Sequence, residues 1–516
     1  MSSEDIEDDL FDIDLERAIP EPPYFLQTIE SPKSKLEIKL EQLEKLEEEL
    51  DHNVVTWDGP DDPANPLNFT HGRRLLIVLI VSSMTFISPF ASSTFAPGVR
   101  YVMTEFHNDS SILSSFIVSI YVLGFAVGPL FIAPLSEMQG RSIIYKISSF
   151  IFTLLMIGCS ECRNMGSLLA LQFVSGLVGS SSIALGSGSI TDVSPQHERG
   201  KYVALYSLGP VLGPAIGPVI GGVLSSKSWR WSFRLVAILS GILFVVIMVY
   251  LPETYAPFVL KRKAKKLRAE TNNPHLHTIW EDHSLGFATV LRRSIIRPLK
   301  LLVLSPIVSC FSLLVAFGYG QMYLMLTTFT HIFQTQYKMS TSIVGLAYLG
   351  LGLGSIGGLL ILVLYSDKML ISLAAKSATK EMRPEYRLPL TIFLMPLGAI
   401  GLIIYGWGVY YKVHWMVPEI GCFIFGLYSV TLLSVTISYL VDAYPIYAAS
   451  AASASSMMRS LGGGVLPLAG PSMYSALGYG WGNTLLALLT IVMFPIPVIL
   501  YYKGEWLRKK FNPSLA

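Results

Sequence analysis

Charged residues are scarce in this chain. Asp, Glu, Lys and Arg make up 14% of its 516 residues, against about 25% in an ordinary soluble domain. With 52% hydrophobic residues and a mean hydropathy of +0.51, that scarcity excludes a soluble multidomain enzyme. It equally excludes disordered, collagenous and disulfide-scaffold classes. Cysteine is rare too: Cys159, Cys162, Cys310 and Cys422 are the only ones. The lone C-x-x-C at Cys159 and Cys162 closes an apolar run, without the further thiols or histidines a metal site needs or a thioredoxin-like context. We read it as two small residues in a packed helix end. No G-x-x-x-x-G-K-[ST] phosphate loop is present, so ATP hydrolysis is not the energy source. No run carries Arg or Lys at every third position, and no carbonyl-filter motif occurs, which argues against a voltage sensor and a fixed pore. No nucleophile, base and oxyanion constellation appears, so an enzyme with catalytic residues, a metal or another cofactor is not expected. The acidic start, Met1 to Glu16, is the opposite of a cleavable signal peptide. The basic residues sit between apolar runs, so nucleic acid is not an expected partner.

What the chain has is long apolar runs. Crossing a bilayer takes about 20 mostly apolar residues, and twelve such runs occur, at 74–96, 112–134, 143–161, 166–190, 202–224, 232–251, 301–328, 342–366, 388–411, 415–440, 447–475 and 481–502. The fold expected is an all-α integral membrane protein with twelve transmembrane helices in two six-helix bundles, its partner the lipid bilayer. The expected divisions are an acidic N-terminal tail (1–72), a first bundle (73–251), a basic linker (252–300), a second bundle (301–502) and a C-terminal tail (503–516). The halves echo each other: Asp192-x-x-Pro195 closes run four as Asp442-x-x-Pro445 closes run ten, and Glu137 follows run two as Asp367 follows run eight. Such repeats place a substrate site between the bundles near the midplane.

Orientation follows from the basic loops. One side carries 25 Lys and Arg residues and the other 7, so both termini are expected in the cytoplasm. Asn108-Asp109-Ser110 then faces outward, a candidate glycosylation site at Asn108. The tail up to residue 72 holds 20 of the 36 acidic residues and 5 of the 38 basic ones. Within it, Lys35 to Leu50 reads as a short amphipathic helix. The linker contains a basic stretch from Lys261 to Arg268, expected near anionic headgroups.

Two segments carry mechanical chemistry. The loop after run two reads Ala133-Pro134-Leu135-Ser136-Glu137-Met138-Gln139-Gly140-Arg141. Gly140 permits a tight turn, and Glu137 and Arg141 can pair with charges at neighbouring helix ends and latch one state. Asp192, Arg199, Asp367 and Asp442 are the other candidate gate charges. Run five places Gly209, Gly213, Gly217 and Gly221 at four-residue spacing, with Pro214, Pro218 and Gly222 beside them. That makes one smooth face for close helix packing, loosened where proline removes a donor. A plain surface charge pair and a plain packing seam remain open as readings of these two segments.

These segments resemble the major facilitator superfamily, and more narrowly its fungal drug:proton antiporters with twelve spanning helices, including cycloheximide-resistance and polyamine-exporter relatives. Gly213-Pro214 to Gly222 resembles the antiporter motif. Asp58-Gly59-Pro60-Asp61-Asp62-Pro63-Ala64-Asn65-Pro66-Leu67-Asn68 resembles that group's pre-membrane segment. So do Tyr319-Gly320-Gln321-x-Tyr323, Pro384-Glu385-Tyr386-Arg387-Leu388 and Asp442-Ala443-Tyr444-Pro445. The resemblance implies proton-driven export of small organic molecules by alternating access, in a monomer at the plasma membrane, with the vacuolar membrane second. The chain departs from the family at Ala133, Ser142 and Gln172. Gln172 stands where the family usually has an Arg assigned to proton coupling, and a glutamine carries no charge. Coupling therefore rests on other intramembrane ionisable residues: Glu419, Asp442 and Arg459, the last of which could neutralise Asp442 or snorkel. Tyr121, Gln172, Tyr319, Gln321 and Tyr323 are candidate cavity residues, suited to amphipathic or cationic organic molecules. A polyamine exporter and a non-transporting membrane sensor are the alternative readings.

Overall fold

The computed structural model describes residues 53–195, 198–279, 287–376, 383–444 and 447–511. The helix expected over Lys35 to Leu50 lies outside the described residues. The helices are α1 (His71–Thr94), α2 (Val99–Glu105), α3 (Ser111–Gln139), α4 (Arg141–Ser160), α5 (Met165–Gly179), α6 (Ser181–Val193), α7 (Arg199–Ser225), α8 (Arg230–Tyr250) and α9 (Ala256–Thr271). They continue as α10 (Phe287–Leu304), α11 (Pro306–Gln336), α12 (Thr341–Val344), α13 (Leu349–Lys376), α14 (Leu388–Tyr410), α15 (Met416–Ala443), α16 (Ala448–Met493) and α17 (Pro495–Lys510).

Eleven helical stretches among the described residues are long and apolar enough to cross a membrane. The last, Ala448–Lys510, has 63 residues, far beyond the ~20 that span a bilayer. It is broken at Gly478, where φ is 71° and ψ 173°, a backbone only glycine adopts easily. It therefore makes two crossings, which brings the total to the expected twelve. Large apolar side chains point outward along these helices, among them Val249 at 66% exposure, Phe393 at 71% and Val492 at 72%. In water such a surface would aggregate; here it is the lipid-facing surface.

Local sequence explains the helix boundaries. Ser110 Oγ accepts from Leu113 N at 3.3 Å to start α3, and Asn164 Oδ1 accepts from Ser167 N at 2.8 Å to start α5, both satisfying donors that a helix start leaves orphaned. Run seven needs a correction. It was expected from 301, yet α10 runs on to Leu304 and α11 begins at Pro306. Proline forces the residue before it out of the helical region: Ser305 has φ −105° and ψ 107°, and its hydroxyl is 2.7 Å from the Tyr444 hydroxyl.

Within the first half α1 packs on α7, α3 on α5 and α4 on α8. Within the second α11 packs on α16, and α15 lies against α13 and α14. Between lipid-immersed helices the hydrophobic effect offers little, so close approach of small residues supplies the contact. A Cβ on Gly213 would stand 2.8 Å from the Phe90 amide nitrogen, and one on Gly221 would overlap the Thr94 carbonyl oxygen. The glycine face of α7 is thus filled by the backbone of α1. The halves meet through α3 against α16, and through α7 against α12 and α13.

The stretch before α1 is a folded knot. Asp62 accepts from the Asp58 amide at 3.0 Å and the Ala64 amide at 2.8 Å. Asn68 Nδ2 donates to the Pro60 and Asp62 carbonyls. Lys263 of α9 reaches Asp58 at 2.5 Å and Asp62 at 3.6 Å, tying the segment to the linker. The backbone donors and Lys263 hold the Asp62 carboxyl below the usual carboxylate range. Its contribution is therefore complete above the ordinary Asp value of about 3.9 and lost as pH falls through the lowered folded value. At neutral pH, Asp62→Asn is expected to expose the 55–70 segment to a protease that leaves the wild type intact there; equal protection of the two proteins would contradict the clamp.

Candidate gating clusters and substrate path

The first half's charge cluster sits where α3 turns into α4. Gly140 has φ 90°, and a Cβ there would overlap a carboxylate oxygen of Glu253. Glu253 accepts from the Arg141 amide at 2.9 Å and the Ser142 amide at 3.1 Å, and also from the amides of Thr254 and Tyr255. One carboxylate thus caps the start of α4 and fixes the chain leaving α8. It also favours the positive end of the α4 dipole. Arg141 reaches back to Asp192 at 2.6 Å, donates to the Leu185 carbonyl at 3.2 Å and lies 5.1 Å over the Tyr255 ring. The Ser142 hydroxyl bonds the Leu251 carbonyl at 2.8 Å, which gives this departure from the family a structural use.

The second half repeats the pattern with a different donor. Arg387 pairs with Asp442 at 2.7 Å and Asp367 at 3.0 Å, and also reaches Ser366 Oγ at 3.2 Å. Arg387 immediately precedes α14 and Arg141 opens α4, so the two arginines take similar places in the two halves. Beside it, Arg508 of α17 grips the buried Glu385 with two hydrogen bonds of 3.1 Å. Glu253, Arg387 and Glu385 were absent from the candidates read from sequence. Arg387 and Glu385 stand within the Pro384-Glu385-Tyr386-Arg387-Leu388 motif. Glu253 bonds backbone atoms, which leave no sequence pattern.

Several expectations need correction here. Asp192, named with Arg199 among the gate charges, pairs with Arg141, and Arg199 forms no ion pair among the described residues. Glu137 is exposed and forms no ion pair among the described residues, since the α3–α4 turn is held by Glu253 instead. Asp442 is neutralised by Arg387, not by Arg459. Gln321 is fully buried and spends its amide on the Leu486 carbonyl at 3.0 Å and Thr490 Oγ1 at 2.9 Å. It therefore braces α11 against the second limb of α16 rather than facing the space between the halves. Gln172 is buried on α5, and Tyr121 bonds Ser88 (3.1 Å to Oγ, 3.0 Å to the carbonyl).

At mid-depth the halves meet through aromatic rings. Tyr323 lies 3.1 Å from Ser92 Oγ of α1, a hydrogen bond between the halves. Its ring is 5.0 Å from that of Tyr319. Arg459 of α16 is 9% exposed and its guanidinium lies 5.1 Å over Tyr319. Beyond Gly463 and Gly464, one turn further along α16, come Val122 and Leu123 of α3.

The end opposite the charge clusters is closed between the halves. The Tyr101 and Thr341 hydroxyls are 3.0 Å apart, and Gln334 Nε2 donates to Thr341 at 3.1 Å. A Cβ on Gly222 would stand 2.9 Å from the Thr341 carbonyl oxygen and 3.2 Å from the Gly345 amide. Asn108 lies in the loop at this end, where its Oδ1 accepts from the Ser110 amide at 2.9 Å. Glu419, the first-turn acid of α15, accepts from the Gly350 amide of α13 at 3.0 Å. Its other oxygen, Oε1, is buried with no hydrogen-bond partner. Among the described residues no group of His, Cys, Asp and Glu is arranged to hold a metal ion.

Comparison with known proteins places this geometry. Residues 81–467 match the Major Facilitator Superfamily. The chain belongs to that superfamily. It is 46% identical over 470 residues to the MFS-type transporter atr4 of Stereocaulon alpinum, covering 91% of this chain and 84% of that protein. It is 44% identical over 468 residues to the efflux pump radE of Floropilus chiversii, covering 90% and 87%. Among solved structures it resembles the partially occluded inward-open form of the xylose transporter XylE from E. coli, with a TM-score of 0.63 at 16% identity over 84% of this chain and 98% of that one. At that identity the likeness speaks for the fold, which is the major facilitator fold. This superfamily member is an integral membrane transporter and not an enzyme.

Proposed function

We propose that this transporter exports small organic molecules by alternating access, exchanging them for protons. One observation carries the reading. Among the described residues, no ion pair at the Asp192 and Asp442 end joins one bundle to the other, whereas hydrogen bonds and glycine contacts join the halves at mid-depth and at the Tyr101 end. Two rigid halves hinged at one end can rock about a central site. The 25 against 7 distribution of Lys and Arg supports a cytoplasmic location for the charge clusters and both termini; the bundles then cover 73–251 and 301–502, and the plasma membrane is the proposed site of action. The radE relative is an efflux pump, which supports the outward direction.

Glu419 is the proposed proton carrier, since Gln172 cannot act as a cation. No Lys or Arg pairs with it among the described residues; Tyr337, Tyr405 and Cys422 are the titratable groups near it. Glu419→Gln is expected to preserve substrate exchange across vesicles and to remove accumulation driven by a pH gradient, by at least about tenfold. Accumulation that survives the substitution would move coupling elsewhere. Deleting residues 1–50 distinguishes the sensor alternative: a transporter retains flux without that tail.

A further inference from the structure

Among the described residues no acid of the membrane-spanning helices pairs with Arg459, and most of them are held by another cation. Asp192 is held by Arg141, Asp367 and Asp442 by Arg387, and Glu385 by Arg508. Glu505 pairs with Arg383 and Lys509, Glu198 with Arg74 and Glu105 with Arg230. Glu419 is bonded to Gly350, and Glu137 is exposed. Arg459 nevertheless sits inside a helix of the bundle, more than nine-tenths buried. No ion pair or hydrogen bond engages its guanidinium among the described residues, and its Nε is sealed from solvent without a partner. Its sole contact of this kind is the Tyr319 face, 5.1 Å away. A cation in the membrane interior without a counter-charge is costly. Stacking on tyrosine compensates a part of that cost and leaves the planar fork free to bind a carboxylate or phenolate edge-on.

We infer that Arg459 and Tyr319 form a substrate site selecting aromatic organic anions, in which the ligand supplies the missing negative charge and a ring to lie beside Tyr319 and Tyr323. The site lies where substrate must pass in the export reading, on which the inference rests. The Tyr323 ring is 5.0 Å from Tyr319 and its hydroxyl is tied to Ser92 of the other half. A ligand at Arg459 therefore touches the same side chains that join the halves. The same charge disfavours polyamines, which would meet a like charge at Arg459.

Binding tests this separately from transport. The full-length protein in detergent is titrated at neutral pH with 1-naphthoate, its neutral analogue 1-naphthamide, spermidine and chloride, reading the shift in thermal midpoint, which reports affinity by linkage. Naphthoate is expected to stabilise at about tenfold lower concentration than naphthamide, the scale of a charge-assisted hydrogen bond. Arg459→Gln should erase that difference, while Arg459→Lys should keep part of it. Should Arg459→Gln fail to fold, Tyr319→Leu serves: it is expected to weaken both naphthyl ligands and keep the preference for the anion. Equal potency of acid and amide on the wild type overturns the inference. So does a preference that survives Arg459→Gln, stabilisation by spermidine or by chloride equal to that by naphthoate, or no stabilisation by naphthoate. Anion-selective binding without flux would refute the export reading and leave this site standing; flux without charge preference would do the reverse.

Discussion

Gly140→Ala is expected to abolish most of the folded protein. The Gly140 backbone, with φ 90° and ψ 153°, lies in a region essentially confined to glycine, costing about 1–3 kcal/mol for other residues. The new methyl would also displace the Glu253 carboxylate, which holds the Arg141 and Ser142 amides. Hydrogen bonds to a charged acceptor contribute about 1.5–3 kcal/mol each. The combined loss, on the order of 4–9 kcal/mol by those figures, approaches the 5–15 kcal/mol of a typical domain. Glu253→Ala should reproduce the cap loss without the backbone strain, and Glu253→Gln should retain part of the cap through its remaining carbonyl. The measurement is the monodisperse fraction and thermal midpoint of detergent-extracted protein. A Gly140→Ala midpoint within about 2 °C of the wild type would refute this role for the turn.

Locking the Tyr101 end is expected to stop transport almost completely. The Tyr101 and Thr341 hydroxyls are 3.0 Å apart, and alternating access requires them to separate once in each cycle. Tyr101→Cys with Thr341→Cys, bridged by a short bifunctional thiol reagent, should reduce flux by at least about tenfold; a cleavable bridge should restore it on reduction. Each single variant treated with the same reagent should keep most of its flux. The four native cysteines are free, three of them buried, so a background lacking reactive thiols is practical. Full flux through the bridged double variant would mean that the halves do not part there.

The fold was legible because lipid imposes a simple code. A spanning helix needs a long apolar run, and the twelve runs in the sequence reappear as crossings displaced by a few residues. The displacement at Ser305 and Pro306 arose because apolar content continues from α10 into α11 and only proline geometry separates them. The site was legible in part. Arg141, Asp192, Asp367 and Asp442 could be singled out because charge at the end of an apolar run is conspicuous, and Gly140 because a short turn there needs a glycine. Their pairing could not, since Arg199 and Arg141 are equally basic and only the fold decides which one faces Asp192. Gln321 misled because an amide in an apolar helix looks the same whether it faces a cavity or a neighbouring helix. Arg459 was visible as a lone charge, but its lack of a partner became apparent only when the acids around it were found engaged elsewhere.

The most direct test of proton-driven export uses sealed inside-out vesicles with an acidified lumen. Uptake of a panel of membrane-impermeant dyes, drugs and aromatic sulfonates is followed before and after an ionophore collapses the pH gradient. The predicted result is uptake that is several-fold faster with the gradient, falls to the ungraded rate when it collapses, and loses its gradient dependence in Glu419→Gln. Wild-type uptake that proceeds at the same rate with and without the gradient would contradict proton antiport and make this protein a facilitator.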